Sequence, residues 1–445
     1  MDSITKELAE LILQTDIANR PDLEIQSRRA LADYLGAAFA GLKEKPVQKA
    51  ACFLQGYLGN TPLLGFPWKT TAEKAAFLNG FASHYLDLDD AQANLMGHGS
   101  TVIFSALLAL ADDTGNSHDF LSAYVAGSEV EGLLGKLINP AHKKQGWHPT
   151  ATLGPIGAAA AIARWKKLSL GDTVQLLSLG ATQSGGLGLE AGTDTKPLHS
   201  GFAASHAVWG YFLLKECGLT SSDSVFNNND GWLKTISGKE ISAGYFKEQW
   251  LQPGQILSPG LWMKEHPYCS AAITGTAAVK ALYQEGVRMD AAEDIIFHFP
   301  PGKSTSLHYH KPLTGQQGRF SMEFVAWQVL TYGDVQDDLF KQEETPKAFL
   351  EAQPHFYIVE DLPPVSQEVR QIRVSILLKD GTKVEKEVLH PPGAPDRPFN
   401  KEELIHKVAA GTSLAFADSL VDVLMESKDW ALLQKLLYSW GAGDW

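Results

Sequence analysis

The sequence predicts a mainly α protein with a second, smaller α+β part. Apolar residues recur at helical spacing from the start of the chain to about residue 250, and small residues crowd those segments. Two Pro-Gly breaks, Gln252-Pro253-Gly254 and Ser258-Pro259-Gly260, then interrupt the pattern. Beyond them, two β-rich runs flank Lys379-Asp380-Gly381, and Asp-Gly between such runs is a strong hairpin signal.

The elements follow in order. Leu8, Leu11, Ile12 and Thr15 share one helical face. Pro21-Asp22 opens a second helix running toward Gly41. Thr152 to Arg164 reads as an apolar, thin helix, and Ser122 to Leu137, Asp172 to Ala181 and Ala203 to Glu216 show helical periodicity. Small faces such as Ala37-Ala38-Phe39-Ala40 and Ala158 to Ala161 let helices approach closely, so a compact bundle is expected. A helix at Ala271 to Gln284 leads into a strand, Glu293 to Phe299, which ends at Pro300-Pro301-Gly302. Val369 to Leu378 and Thr382 to Leu389 form the hairpin strands. Asn400 has the character of an N-cap, with Glu403 three residues on, and two or three closing helices follow. The expected division is a helical domain over 1–255, an α+β domain over 256–398 and closing helices over 399–445.

With 445 residues, the chain is too long for one ordinary core. Its composition, 44% hydrophobic and 20% charged, fits a globular protein with a large core. The net charge of -13 argues against nucleic acid or an acidic membrane surface as partner. An anionic ligand must therefore meet a local patch of Lys, Arg and His. Cys52, Cys217 and Cys269 form neither a disulfide framework nor a zinc pattern, which suggests a reducing cytoplasm. The first residues lack a basic start and an apolar signal core, and no apolar run approaches the ~18 residues of a membrane span. A cytoplasmic protein without a membrane partner is expected. Gly185-Gly186-Leu187-Gly188 lacks both the Lys-Ser/Thr ending and the preceding strand of a phosphate loop. No dinucleotide fingerprint or metal-ligand spacing is visible, so no nicotinamide, flavin or metal is expected.

The stretch Gly146-Trp147-His148-Pro149-Thr150 places a histidine at the start of the Ala-rich helix. Free N–H groups and partial positive charge there suit an anion, and histidine exchanges protons near neutral pH. His148 is therefore a candidate for proton transfer or carboxylate binding. Lys196 is expected between a Gly-rich turn and a small-residue helix. It would bind a carboxylate, or move a proton if desolvated, and His199 would share the pocket or orient it. Asp87, Asp89 and Asp90 read as a water-exposed helix end or loop; the sharper alternative is a hard-cation site, which few nearby ligands support.

Five blocks, in order, resemble the MmgE/PrpD family. They are Asp87-Leu-Asp-Asp90 with His98-Gly-Ser100, Gly146 to Thr150, Lys196-Pro-Leu-His-Ser-Gly201, Lys264-Glu-His-Pro-Tyr-Cys269, and His390 to Pro398. The resemblance implies a large all-helical domain built from both chain ends, a smaller α+β lid domain and a homodimer. It implies a small polycarboxylate substrate and no cofactor. The activity expected is that of a lyase decarboxylating or dehydrating a tricarboxylate of the cis-aconitate or 2-methylcitrate type. An isomerase of the iminodisuccinate epimerase kind and a non-catalytic polycarboxylate-binding protein are the alternatives. By the same resemblance Asp87 and His98 join His148 and Lys196 as catalytic residues, and Asp87 would set a histidine's tautomer. Lys264, His199 and Cys269 would bind substrate. If Cys269 lines the pocket beside Lys264, it is the cysteine expected to react fastest with a thiol reagent; otherwise it is a small buried hydrophobe. The chain departs from the decarboxylase branch at Cys269 (histidine there), Phe324 (tyrosine) and Ala91 (threonine).

Overall fold

A computed structural model of the chain describes residues 4–112, 115–227, 230–242 and 244–441. They form two compact units, one of residues 1–189, 195–261 and 399–445, the other of 190–194 and 262–398.

The first unit is built of helices. They include α1 (Ile4–Gln14), α2 (Pro21–Leu42), α3 (Ala72–Tyr85), α4 (Gly99–Ala109), α5 (Ser117–Ile138), α6 (Pro149–Trp165), α7 (Leu170–Ala181) and α8 (Thr195–Cys217). Their starts are encoded locally. Pro21 sits in the first turn of α2 with Asp22 and Glu24, which complement its N-terminal dipole. Asn116 and Ser169 cap α5 and α7 by accepting the amides of Asp119 and Asp172. Every residue of α6 is buried, so this helix is the centre of the unit. Its neighbours come close because side chains are absent where backbones meet. A Cβ on Gly127 of α5 would lie 2.7 Å from the Gly157 carbonyl of α6. A Cβ on Gly80 of α3 would lie 2.9 Å from the Cα of Gly201 in α8. A hairpin of β1 (Thr61–Leu63) and β2 (Phe66–Thr70), turned by Leu64-Gly65 with Gly65 at φ 72°, also belongs here and was not read from the sequence. No helix among the described residues is long and apolar enough to cross a membrane.

The second unit carries α9 (Ile273–Gln284) and α10 (Met322–Tyr332) with a four-stranded sheet. Its strands are β3 (Ala292–His298), β4 (Phe356–Val359), β5 (Arg373–Leu378) and β6 (Lys383–Glu387), in the order β4-β3-β5-β6. β4 lies parallel to β3, while β5 pairs antiparallel with both β3 and β6. The Asp-Gly turn joins β5 to β6 as expected, with Gly381 at φ 84°. Of the four strands, β4, a four-residue run, escaped the sequence pattern, and so did helix α10. Ile295, Phe297, Val374 and Ile376 of the sheet and Phe324, Val325 and Trp327 of α10 share one apolar core.

The chain then forms α11 (Lys401–Gly411), α12 (Leu414–Glu426) and α13 (Trp430–Leu437) of the first unit. Asn400 and Glu403 form a complete capping box at the start of α11. α11 packs on α2: a Cβ on Gly36 would lie 3.0 Å from Lys407 Cγ, and one on Gly411 would strike the Ala40 amide at 2.2 Å.

Candidate active site

Three helix N-termini of the first unit each present a sequence-predicted residue. His98 is the N-cap of α4, His148 is the N-cap of α6, and Lys196 is the second residue of α8. Neither histidine caps its helix with its side chain. The Gly80–Gly201 crossing sets α3 against α8 and brings Asp87, just past the end of α3, onto Lys196. Lys196 Nζ donates to Asp87 Oδ1 at 2.7 Å, and both side chains are buried. Lys196 stands inside the helix, not ahead of it. The helix begins at Thr195, ahead of Pro197, because proline fits a first helical turn.

The three aspartates are buried rather than facing water, because helices and loops of the same unit close over them. Asp87 adopts φ 55°, left-handed for a non-glycine residue, and its amide donates to the His84 carbonyl. His98 Nδ1 donates to the Asp90 carbonyl at 2.7 Å, with Asp89 Oδ2 at 3.3 Å. That bond fixes the tautomer and leaves Nε2 facing Asp87 Oδ1 at 3.5 Å. Asp87 thus stands between the lysine and one histidine.

His84, which the sequence reading missed, completes the cluster. Its Nδ1 donates to Asp89 at 2.9 Å, and its ring lies 4.5 Å from that of His98 and 5.9 Å from that of His148. The signal was present: His84 precedes the acidic cluster by three to six residues, at the end of a helical pattern. His199, one turn along α8 from Lys196, meets His148 through their Nδ1 atoms at 3.0 Å. His84, Asp87, Asp89, His98, His148, Lys196 and His199 thus meet within one unit. Lys264 and Cys269 are both buried residues of the second unit.

The electrostatics divide the histidines. Burial, and then the cation of Lys196 and the neighbouring His84, His199 and His98 rings, hold His148 well below its ordinary value. Burial pushes His84 down to about 3, Asp89 opposing and Lys196 reinforcing. Burial resists ionisation of Asp89, but the facing His84 and His98 rings outweigh it and keep its carboxyl well below the usual range. Burial and the nearby Asp33 push Asp90 well above that range, and its carboxyl accepts from Ser100 at 2.6 Å. At neutral pH His148 is an unprotonated imidazole, whereas His98 is flanked by two carboxylates.

The glycine-rich loop also finds its role. His148 N donates to the Gly186 carbonyl, and Gly188 N to the Gly146 carbonyl. Gly186 has φ 107°, and a Cβ there would lie 2.6 Å from Ala151 Cβ and against the His199 ring. The loop supports the histidine pair.

His84, Asp87, Asp89 and His98 also place ligand atoms within 4.8 Å of one another, so possible cation ligands are not sparse. Asp87, one of the four, is already paired with the Lys196 ammonium.

In the second unit, Cys269 is buried beside the cation of Arg370, while Cys52 and Cys217 are exposed. Burial agrees with the second of the two readings, a small buried hydrophobe, and access then favours the other two thiols. Timed alkylation read by mass spectrometry should label Cys52 and Cys217 first; faster labelling of Cys269 would mean its surroundings open in solution. Phe324, at the decarboxylase tyrosine position, stacks on Trp327 at 5.9 Å and meets Phe349 edge-on at 5.0 Å, which makes it a core residue.

The family model of the MmgE/PrpD N-terminal domain matches residues 6–243, and that of the C-terminal domain matches 266–428. The chain is similar to cis-aconitate decarboxylase of Mus musculus, 26% identical over 471 residues that cover 98% of this chain and 94% of that protein. It is 27% identical over 455 residues to cis-aconitate decarboxylase of Homo sapiens, covering 96% and 91%. The cis-aconitate decarboxylase-like protein oryM of Aspergillus oryzae is 24% identical over 443 residues, covering 91% and 89%. With family models matching most of the chain, and the cluster built from the blocks that marked the resemblance, this protein belongs to the MmgE/PrpD family.

Proposed function

We propose that this chain is a cofactor-independent lyase that decarboxylates a small tricarboxylate of the cis-aconitate type. The observation that carries the reading is the meeting of three helix N-termini, bearing His98, His148 and Lys196, with the buried Asp87 carboxylate between the lysine and His98. Helix N-termini and a lysine attract and hold anionic groups. The names of the similar proteins support the same substrate class.

The chemistry follows from charge. Loss of carbon dioxide breaks a carbon–carbon bond and leaves the electron pair on carbon, delocalised toward a remaining carboxylate. Lys196 and the helix N–H groups stabilise that charge. A proton must then reach the carbon. His98 is the group arranged to deliver it, because Asp87 and Asp89 flank its ring and the Asp90 carbonyl fixes its orientation. Solvent restores that proton. His148 is unprotonated and cannot donate at neutral pH. An arriving tricarboxylate offsets the Lys196 cation, so substrate raises the basicity of His148. This favours proton abstraction as the second use of the site, with water loss from a hydroxyacid as its outcome.

Incubation with a panel of di- and tricarboxylates in heavy water, with a chelator present, tests the proposal by proton NMR. Loss of carbon dioxide with one deuterium gained at carbon is expected. Water loss would make the protein a dehydratase. Exchange without loss would make it an isomerase. No change with any compound would leave a binding protein.

A further inference from the structure

The loop holding Asp87, Asp89 and Asp90 is gripped from behind by a buried ion pair. Lys407 on α11 donates to Asp33 on α2, and the two side chains are 2% and 0% exposed. Each partner also holds the loop backbone. Lys407 Nζ donates to the Leu88 carbonyl at 2.8 Å, and Asp33 Oδ2 accepts the Asp90 amide at 3.0 Å. These grips lie on either side of Asp89. Gly36 and Gly411, placed along α2 and α11 from the pair, let the helices close on it almost backbone to backbone. A buried ion pair is a poor device for stability alone, because an apolar replacement of similar volume is often as stable or more so. Its two backbone contacts supply another use.

We propose that Asp33 and Lys407 are positioning residues: together they clamp the Leu88 carbonyl and the Asp90 amide, and so hold Asp87, Asp89 and His98 in register with Lys196. The coupling to His98 runs through the Asp90 carbonyl, which accepts its Nδ1 proton, and through Asp89. Asp87 is held left-handed within the same loop, a conformation an unsupported aspartate leaves readily. The C-terminal segment thereby sets the geometry of a site whose other residues all precede position 200.

The test is the double variant Asp33→Leu/Lys407→Met, which removes both charges while keeping apolar bulk. Leu420→Ala on α12, a buried site away from the loop, is the control for lowered stability. Melting is followed by circular dichroism. Ring-nitrogen NMR reports the His98 tautomer, its signals assigned with His98→Gln. The double variant should remain folded, lose the Nδ1–H signal of the bond to the Asp90 carbonyl and leave the exposed His355 and His390 unchanged. Its kcat should fall on the order of tenfold or more, with KM little altered, as expected for misplaced catalytic groups. Leu420→Ala should melt lower yet keep the His98 signature and kcat. Asp33→Asn is the milder variant and should move the His98 signals in the same direction by less. An unchanged His98 signature in the double variant overturns the proposal, as does equal loss in Leu420→Ala. Failure of both pair variants to fold also overturns it, by making the pair a fold element. The kcat arm rests on the proposed lyase reading and the NMR arm does not. If no polycarboxylate turns over, that reading fails while the histidine spectra still decide the clamp.

Discussion

Replacing His98 with glutamine should lower turnover by about a hundredfold or more, the scale of losing an acid–base group. Glutamine keeps an N–H able to reach the Asp90 carbonyl, so the loop retains its anchor while the mobile proton is lost. Substrate binding should change little, because Lys196 and the three helix N-termini remain. Steady-state kinetics with the substrate identified by NMR should therefore show the loss in kcat rather than KM. His148→Gln should also be slow, by removing a hydrogen-bonded partner of His199 and the base used in proton abstraction. The two variants differ in their meaning. If His98→Gln keeps near-normal turnover and His148→Gln does not, the proton comes from the His148–His199 pair and the assignment of His98 as acid is wrong.

Much of this was legible in the sequence because it is encoded locally. Helical periodicity, the Asn400–Glu403 capping box and the Asp380-Gly381 hairpin each depend on residues within a few positions of one another. The blocks that carry Asp87, His98, His148 and Lys196 were visible as motifs, and the fold gathers them. What the sequence could not display was their state. Asp87, Asp89 and Asp90 read as a charged loop until helices from distant parts of the chain bury them. Lys196 read as lying ahead of its helix because a helix start containing a proline is locally ambiguous. His84 drew no reading at all, since only the return of the loop sets Asp89 against it. The Asp33–Lys407 pair spans 374 positions, so no local pattern reports it. Glycines explain part of this gap: Gly80, Gly157 and Gly201 look like weak helix formers, yet they let backbones meet where the cluster forms.

Lys196→Met is the variant with the broadest expected consequences. It removes the cation that holds an anionic substrate and stabilises charge at carbon, so kcat/KM should fall about a hundredfold or more. It also leaves Asp87 buried beside His98 without its ammonium. Breaking such a pair costs about 3–5 kcal/mol, so the melting temperature should drop while a folded protein remains. The pH profile distinguishes a catalytic lysine from a structural one. His148 is held below 6.5 first by burial and next by Lys196. In the parent, the limb that reflects protonation of His148 therefore lies below pH 6.5, and activity is lost as pH falls through it. Without Lys196 the second cause disappears, His148 accepts a proton more readily, and that limb must move up toward 6.5. A variant that merely loosens the fold would lose activity at every pH without shifting the limb. An acid limb that stays in place in Lys196→Met, with kcat/KM reduced, would mean that His148 does not govern the reaction and that the lysine acts on the substrate alone.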